Sequence, residues 1–260
     1  MTPSSSAGAT GSLALGVDVG GSGIKGALVD LDTGTMVGDR VRLETPLPAT
    51  PDAVTRTVAA VVGQFNWDGP LGVTYPGVVV NGVVRTAANV DRDWIGTDVA
   101  EAYSRAMDGR SVVVLNDADA AGLAEQHYGA GRDHDGVIVL LTFGTGIGSA
   151  VIHRGMLLPN TEFGHIEVFG KEAEHRAASS VKERKGWSYE RWCKEVSKVL
   201  TVVENAICPD LIIAGGGISR KGEKWIPLLT NKTPVVAAEL LNTAGIVGAA
   251  MAAARSVTTR

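Results

Sequence analysis

Residues 13–30 read LALGVDVGGSGIKGALVD, and this stretch decides the predicted fold. An apolar strand, Leu13–Val19, runs into a turn rich in glycine, and a second strand, Ile24–Asp30, follows. Glycines have no Cβ atom, so backbone N–H groups in such a turn can approach a phosphate closely. After the turn Asp32-Thr33-Gly34, Thr35–Leu43 is predicted as a third strand.

A second stretch repeats this pattern, because residues 141–153 read LTFGTGIGSAVIH. The two stretches align Gly20 with Gly144 and, after a one-residue gap, Ile24, Ala27 and Val29 with Ile147, Ala150 and Ile152. Chance similarity between two glycine turns is the alternative interpretation. We favour two structurally repeated halves, each opening with a phosphate-binding hairpin, with a phosphoryl donor held between them.

The composition limits the class of protein. The chain has 260 residues, of which 45% are hydrophobic and only 5% aromatic, so the core must consist mainly of Val, Ile, Leu and Ala. This favours buried parallel strands covered by helices and excludes a disordered or disulfide-stapled protein. Two cysteines without a metal pattern indicate a reduced, cytoplasmic protein. Residues 1–11 are predicted to be a flexible tail rather than a signal peptide, and no apolar run is long enough to span a membrane.

Helices and further strands follow from apolar periodicity and turn residues. The predicted helices are Pro51–Phe65 capped by Thr50, Asp98–Met107 capped by Thr97, Asn116–Gly129, Trp187–Ile207 and Ala244–Arg255. The further predicted strands are Leu71–Val73, a hairpin over Val78–Val84, Ser111–Leu115, Val137–Thr142, Ser149–His153, a strand after Gly155, Asp210–Ala214 and Pro234–Glu239.

The net charge of −4 is unevenly distributed. Residues 171–232 hold 12 of the 24 Lys and Arg residues and 8 acidic residues, a local charge of 12 − 8 = +4. On the long predicted helix, Arg184, Arg191, Lys194 and Lys198 form a basic stripe if the helix begins early. The stripe can guide a polyanion, or it can be an ordinary solvated face.

Three further segments contain candidate functional residues. Asp117 lies where a strand becomes a helix, and a kinase needs a carboxylate there to accept the proton of the attacking hydroxyl. The helix N-terminus should favour its charged form and make it a weak base; an ordinary N-cap pair with Asn116 is the alternative. Glu162 and His165 can grip sugar hydroxyls or a metal, or can be incidental loop residues. Gly215–Gly217 can lie against an adenine or a phosphate chain, or form a plain turn.

The phosphate loops do not follow the common nucleotide motifs. A Walker A pattern is absent, and the apolar run after Gly148 predicts a strand where a Rossmann site needs a helix. Asp18, at the end of the first strand, can hold Mg²⁺ through water. Lys25 can neutralise phosphate charge or simply face solvent.

Taken together, four sequence segments resemble the ROK family of sugar kinases, within the actin-like ATPase superfamily, and its polyphosphate-using branch in particular. They are DVGGSGIKGALVDLDTG, NDADAAGLAE, LTFGTGIGSA and NTEFGHIEV. The resemblance spans about Leu13 to Arg255. It implies an α/β, two-domain actin-like ATPase (ribonuclease H-like) fold with a cleft between the domains. The expected domains are residues 12–116 plus 245–260 and residues 117–244.

The resemblance also assigns roles to residues. Asp117 is the expected catalytic base for the 6-hydroxyl of glucose. The expected sugar contacts are Asn89, Asn116, Asp117, Glu162, His165 and Glu174. The expected phosphate-binding residues are Asp18, Gly20, Gly21, Ser22, Gly23, Lys25, Thr142, Gly144, Thr145 and Gly146, with Gly215, Gly216 and Gly217 on the nucleotide or polyphosphate side.

One departure from the family pattern matters. ROK proteins typically carry a cysteine-rich zinc motif after the Gly-His dipeptide, whereas here no cysteine follows His165 until Cys193. We therefore expect no structural zinc, and the basic segment from Lys171 favours a polyphosphate donor.

The expected function is Mg²⁺-dependent phosphoryl transfer to glucose from inorganic polyphosphate, with ATP as an alternative donor, in a homodimer without nucleic-acid or membrane partners. The alternatives are a strictly ATP-dependent hexose or N-acetylhexosamine kinase and a non-catalytic sugar- or polyphosphate-binding module. A sugar-responsive repressor is disfavoured, because only about a dozen residues precede Leu13.

Overall fold

Two five-stranded mixed sheets form the framework in the computed structural model, which describes residues 12–87 and 90–258. The strands of the first sheet are β1 Leu13–Gly20, β2 Gly23–Asp30, β3 Thr35–Leu43, β4 Leu71–Tyr75 and β7 Val113–Asn116, with the small hairpin of β5 Val79–Val80 and β6 Val83–Val84 beside it. The strands of the second are β8 Val137–Phe143, β9 Ile147–His153, β10 Met156–Leu158, β11 Leu211–Gly215 and β12 Val235–Ala237. The predicted flexible tail, residues 1–11, and Asn89 lie outside the described residues.

The two sheets have the same topology. Their strand orders are β3-β2-β1-β4-β7 and β10-β9-β8-β11-β12. In each, the first strand pairs antiparallel with the second and parallel with the fourth, and the second pairs antiparallel with the third. The predicted structural repeat is therefore confirmed, and each glycine turn is the tip of the hairpin that opens its sheet.

Eight α-helices are present in the described ranges. They are α1 Pro51–Val62, α2 Val99–Ala106, α3 Asp117–Tyr128, α4 Ala173–Ala177, α5 Ser179–Arg184, α6 Tyr189–Ile207, α7 Gly222–Trp225 and α8 Ala244–Thr258. Thr50 caps α1 as predicted, since its side chain accepts a hydrogen bond from the Ala53 N–H. The predicted cap Thr97 is wrong: Asp98 caps α2 by accepting from the Glu101 N–H at 2.9 Å.

The long helix α6 begins two residues later than predicted. Ser188 caps it, so Trp187 lies before the helix and Arg184 belongs to α5. Arg184 is therefore not part of a stripe on α6, and that expectation is wrong. The apolar stripe is confirmed, since Trp192, Val196, Val199 and Val203 are all buried in the core of the second half.

The closing helix α8 lies against the first sheet and against α3 at backbone contact distance. An added Cβ at Gly16 or Gly72, on β1 and β4, would lie 1.9 Å from a carbonyl oxygen of α8. One at Gly248 of α8 would lie 1.8 Å from the Ala120 carbonyl oxygen of α3. Helix α3 also packs on β9 of the second sheet through Gly122. The α3–α8 pair thus joins the two halves, and the predicted domain limits remain predictions.

Both cysteines are free thiols. Cys193 is buried, and burial raises its pKa to about 11, whereas Cys208 is exposed. None of the described helices is both long enough and apolar enough to cross a bilayer.

Candidate active site

A cleft of about 600 Å³ opens between the two glycine hairpins. It is lined by residues of both halves: Gly20, Gly21, Ser22, Pro76, Gly77, Thr86, Asn116, Asp117, Thr142, Gly144, Thr145, Gly146, Ile147, Gly148, Ser149, Glu162, His165, Glu174 and Gly216. An adjoining cavity of about 200 Å³ shares Asp117, Thr142 and Gly216 with it. Most of the residues that the sequence singled out therefore meet in one place.

In the first loop, Gly20–Gly23, two backbone carbonyl groups accept hydrogen bonds from side chains outside the loop. Thr45 donates its hydroxyl to the Gly20 carbonyl at 2.5 Å, and the Arg42 guanidinium donates to the Ser22 carbonyl at 2.9 Å. The N–H groups of Gly21 and Ser22 have no acceptor within the described part of the chain. Two adjacent free donors are what an anion-binding turn requires.

The second loop, Gly144–Gly146, is held in the same way. Ser179 donates its hydroxyl to the Gly144 carbonyl at 3.1 Å, and Ser180 donates its hydroxyl to the Thr145 carbonyl at 2.7 Å. Among residues 12–87 and 90–258, the N–H groups of Thr145 and Gly146 find no acceptor. The sequence did not reveal the two serines, because they lie about 35 residues further along the chain.

Asp18 and Lys25 lie together in the smaller cavity. The Thr74 hydroxyl donates to Asp18 Oδ1 at 3.1 Å, and Lys25 Nζ lies 3.7 Å from Asp18 Oδ2. Lys25 thus faces the interior of the site rather than solvent alone. Gly245 at the start of α8 leaves room for the Asp18 carboxylate, because a Cβ there would lie 2.7 Å from Asp18 Oδ1.

Asp117 is the first residue of α3 and lines both cavities. Burial raises its pKa to about 7, with a further increase from the Asp18 charge, and the hydrogen bond from the Ala118 N–H opposes this only in part. The sequence-based expectation of a weak base is therefore wrong, because burial outweighs the helix N-terminus. A carboxylate with a pKa near 7 is well suited to accept a proton at neutral pH.

Asn116 also lines the cleft, but its side chain is mainly engaged with the protein. Its Oδ1 accepts from the N–H groups of Ala118 and Asp119 at 2.7 and 3.0 Å, and its Nδ2 donates to the Gly77 carbonyl at 3.1 Å. The N-cap interpretation of this residue is thus confirmed, and its sugar contact remains a prediction.

Glu162, His165 and Glu174 form the far wall of the cleft, and Glu172 and His175, outside the cleft lining, continue a chain of alternating carboxylates and imidazoles from it. Glu162 Oε2 lies 3.7 Å from His165 Nε2, and His165 Nδ1 lies 3.5 Å from Glu172 Oε2. His175 lies 3.3 Å from Glu172 and 3.8 Å from Glu174. Burial raises the pKa of Glu162, and the nearby Glu174 raises it further against the opposing effect of His165. Such groups can accept hydrogen bonds from vicinal hydroxyls and donate hydrogen bonds to them.

The far wall lies close to the second loop because Gly164, the residue before His165, has no side chain. Gly164 packs so closely on β9 that a Cβ there would lie 2.1 Å from the Ile147 carbonyl oxygen. Glu174 reaches the same point from α4, where its Oε2 accepts from the Ile147 N–H at 3.4 Å. His165, Glu172 and Glu174 are also close enough to share one cation. The cluster contains no cysteine, and the expectation of no structural zinc remains a prediction.

The glycine run at the end of β11, Gly215–Gly217, is only partly in the site. Gly215 and Gly216 line the smaller cavity, and Gly216 also lines the cleft. Gly217 lines neither cavity. Asn89, the remaining predicted sugar contact, lies outside the described residues.

A clamp between the halves was missed by sequence reasoning. Asn160, in the left-handed region with φ of 59°, accepts from the Val79 N–H at 3.0 Å and donates to the Val79 carbonyl at 2.9 Å. Asp119 of α3 orients it by accepting from the Asn160 N–H at 2.8 Å. The pair is 81 residues apart in sequence, and the only local signal was the Pro159-Asn160 turn.

Both the sequence and the fold of the chain are similar to those of known proteins. The chain matches the ROK family over residues 14–178. It is 67% identical to a polyphosphate glucokinase of Mycobacterium tuberculosis, with 94% of this chain and 92% of that protein covered. The crystal structure of an inorganic polyphosphate/ATP-glucomannokinase from Arthrobacter sp. strain KM is 45% identical, with a TM-score of 0.89, and the match covers 94% of this chain and 99% of that chain.

A more distant structure supports the fold alone. It is a ROK family glucokinase from Streptomyces griseus in complex with glucose and AMPPNP, 24% identical, with a TM-score of 0.81 over 94% of this chain and 100% of that chain. The predicted fold class, an actin-like α/β sugar-kinase fold, is therefore confirmed.

Proposed function

Because the chain belongs to the ROK family, we propose that it is a glucokinase that transfers the terminal phosphoryl group of inorganic polyphosphate, or of ATP, to the 6-hydroxyl of glucose. The single observation that carries this proposal is the position of Asp117, a carboxylate at the start of α3 in a cleft lined by both glycine loops. A base, two anion-binding turns and a hydroxyl-binding wall are the parts that phosphoryl transfer to a sugar needs.

The sugar end of the cleft is assigned to the carboxylate–imidazole wall. Glu162, His165 and Glu174 would bind ring hydroxyls, and Asp117 would then orient the 6-hydroxyl and accept its proton. The reacting oxygen attacks the terminal phosphorus, the bridging oxygen of the donor leaves, and the proton passes to Asp117. Holding both reactants in one cleft accounts for a large part of the rate acceleration, because the reaction becomes effectively unimolecular.

The donor end is assigned to the two glycine loops. The free N–H pairs of Gly21–Ser22 and Thr145–Gly146 would stabilise the charge on the transferred phosphoryl group. Their geometry is fixed before the donor binds, because the carbonyl groups of both loops are already hydrogen-bonded to Thr45, Ser179 and Ser180.

The residues present also fit a magnesium ion. Asp18 faces Asp117 across the smaller cavity, and the repulsion between the two carboxylates, which raises the pKa of Asp117, is relieved by a cation. Asp18 would hold Mg²⁺ through water. When bound, the ion neutralises the phosphate charge of the donor.

The raised pKa of Asp117 makes a pH-dependence prediction. Only the ionised carboxylate accepts a proton, so kcat/KM for glucose should fall about tenfold for each pH unit below an apparent pKa near 7. Raising the Mg²⁺ concentration should move this limb to lower pH, because the cation offsets the Asp18 charge. Initial rates from pH 5.5 to 8.5 at two Mg²⁺ concentrations measure both effects. A rate independent of pH across this range would contradict the assignment.

The experiment that tests the proposed function is glucose 6-phosphate formation with Mg²⁺ from nucleotide-free polyphosphate or from ATP. Turnover with polyphosphate, falling as salt rises, is the expected result, because binding of a polyanion releases counterions. Turnover with ATP alone would indicate an ATP-dependent hexose kinase. No product from either donor would favour a binding module. The same assay is run with mannose as a second phosphoryl acceptor.

A homodimer and a cytoplasmic location belong to the same proposal. Both are supported by the resemblance to the family, and the location is also supported by two cysteines that form no disulfide. Sedimentation velocity on the purified chain measures whether it is a homodimer.

A further inference from the structure

A small basic pocket lies outside the cleft. Its volume is about 110 Å³, and it is lined by Lys171, His175, Arg176, Lys185, Trp187, Arg191 and Glu195. Four of these side chains are cations and one is an anion, so the pocket carries 4 − 1 = +3 without counting His175. A pocket of this charge on a chain of net charge −4 is a strong local anion attractor.

The one acidic residue of the pocket is already neutralised. Glu195 is almost fully buried and accepts from Arg176 at 2.5 Å, from Arg191 at 2.8 Å and from Lys198 at 3.0 Å. Burial alone would raise its pKa, but these three hydrogen bonds lower it to about 2. Arg191 and Lys198 are therefore already paired with a carboxylate. We expect the other cations of the pocket to make the contact with a polyanion.

The ring of Trp187 lies close to two cations of the pocket. Lys185 Nζ lies 4.5 Å and the Arg191 guanidinium 4.7 Å from the centre of the Trp187 ring. Lys171 and Lys185 are exposed and have no carboxylate partner within the ranges that the structure describes. Cations confined to one pocket repel each other, and an anion placed between them removes that repulsion.

The pocket adjoins the cleft beside the second glycine loop, where Glu174 accepts from the Ile147 N–H. Glu174 lines the cleft, and the next two residues of the same short helix, His175 and Arg176, line the pocket. From the other side, Ser179 and Ser180 bind the second glycine loop, and the same helix leads on to Lys185. A linear anion that ends at the glycine loop can therefore extend into the pocket.

We propose that this pocket binds the part of a polyphosphate chain that lies beyond the reacting phosphoryl group. The inference rests on the proposed function, since it places the reacting end of the chain at the glycine loops. A long chain reaches the pocket. A three-phosphate donor ends in or near the cleft, so the pocket distinguishes donors by length.

The test removes Lys171 and Lys185 together, K171A/K185A, with K224A/K232A as the matched control. The control removes two exposed lysines from the same basic segment, away from the pocket. For a polyphosphate of several tens of units, the pocket variant should have a KM about tenfold higher than the wild type. Its KM for tripolyphosphate, ATP and glucose should stay within about twofold. The slope of log KM against log salt should fall by about 1.4, two charges at about 0.7 each.

Calorimetric titration with long polyphosphate in the absence of glucose measures the same contact without turnover. A pocket variant that binds long chains like the wild type, or a control variant that loses as much affinity as the pocket variant, would overturn the pocket assignment. A wild type that binds polyphosphate through these lysines but makes no glucose 6-phosphate would instead overturn the proposed function. Circular dichroism should show no change in fold, because both lysines are exposed.

Discussion

Asp117→Asn should lower kcat for glucose phosphorylation by about 10³-fold, the middle of the range for loss of a general base. The amide has the size of the carboxylate and can still accept from the Ala118 N–H, a bond of 2.9 Å, so the helix start is preserved. It cannot accept a proton from the sugar. Steady-state kinetics with both donors should show the loss in kcat, with a smaller change in the glucose KM.

The stability of this variant gives an independent check on the raised pKa. The folded pKa of Asp117, about 7, lies above the value of an unfolded chain, so its contribution to stability is full below about pH 4 and lost as pH rises through about 7. At pH 8 the wild type holds a charged, poorly solvated carboxylate beside Asp18, and the neutral amide removes that penalty. The melting temperature of Asp117→Asn at pH 8 should therefore be higher than that of the wild type.

Asp119→Asn is the matched control for Asp117→Asn. Asp119 lies on the same helix and is buried, and burial raises its pKa to about 7 as well. It holds Asn160 and does not line either cavity. Its kcat should remain within a few-fold of wild type. Near-wild-type turnover of Asp117→Asn, or an equal loss in both variants, would remove Asp117 from the role of base.

Gly248→Ala should destabilise the protein by about 3 kcal/mol, at the upper end of the cost of overpacking. A methyl group there would lie 1.8 Å from the Ala120 carbonyl oxygen, and this atom is backbone, so α3 and α8 must separate. For a chain of this length the melting temperature should fall by roughly 10 °C. Thermal denaturation followed by circular dichroism measures the change.

The same substitution should also reduce activity, although Gly248 does not line the site. Ala120 is three residues after Asp117 on α3, so moving that helix displaces the base. A displacement of about 1 Å can cost about 10²-fold in rate, and kcat should fall by 10- to 100-fold at temperatures where the variant is folded. Gly63→Ala is the control, because Gly63 has helical dihedral angles at the end of α1 and a Cβ there would meet nothing nearer than the Ala59 carbonyl oxygen of the same helix, at 3.3 Å. Its stability should change by less than about 1 kcal/mol. An equal loss in the two variants would contradict the close-contact explanation.

Local sequence determined the elements that carry the site. The glycine turns, the flanking strands and the repeat between residues 13–30 and 141–153 were all predicted, because strand alternation and glycine turns depend on neighbours in the chain. The N-cap role of Asn116 followed from the same kind of rule, since the bond it makes spans only two or three residues. Asp117 was located for the same reason.

Only the tertiary structure decided the properties that depend on distant residues. The pKa of Asp117 rises because burial and Asp18, about 100 positions away, outweigh the local helix N-terminus. Arg191 and Lys198 formed part of a predicted polyanion stripe, yet both are anchored to the buried Glu195. The clamp between Asn160 and Val79 spans 81 residues. In each case the deciding term is a through-space interaction between segments that the sequence leaves far apart, and periodicity does not encode which of them meet.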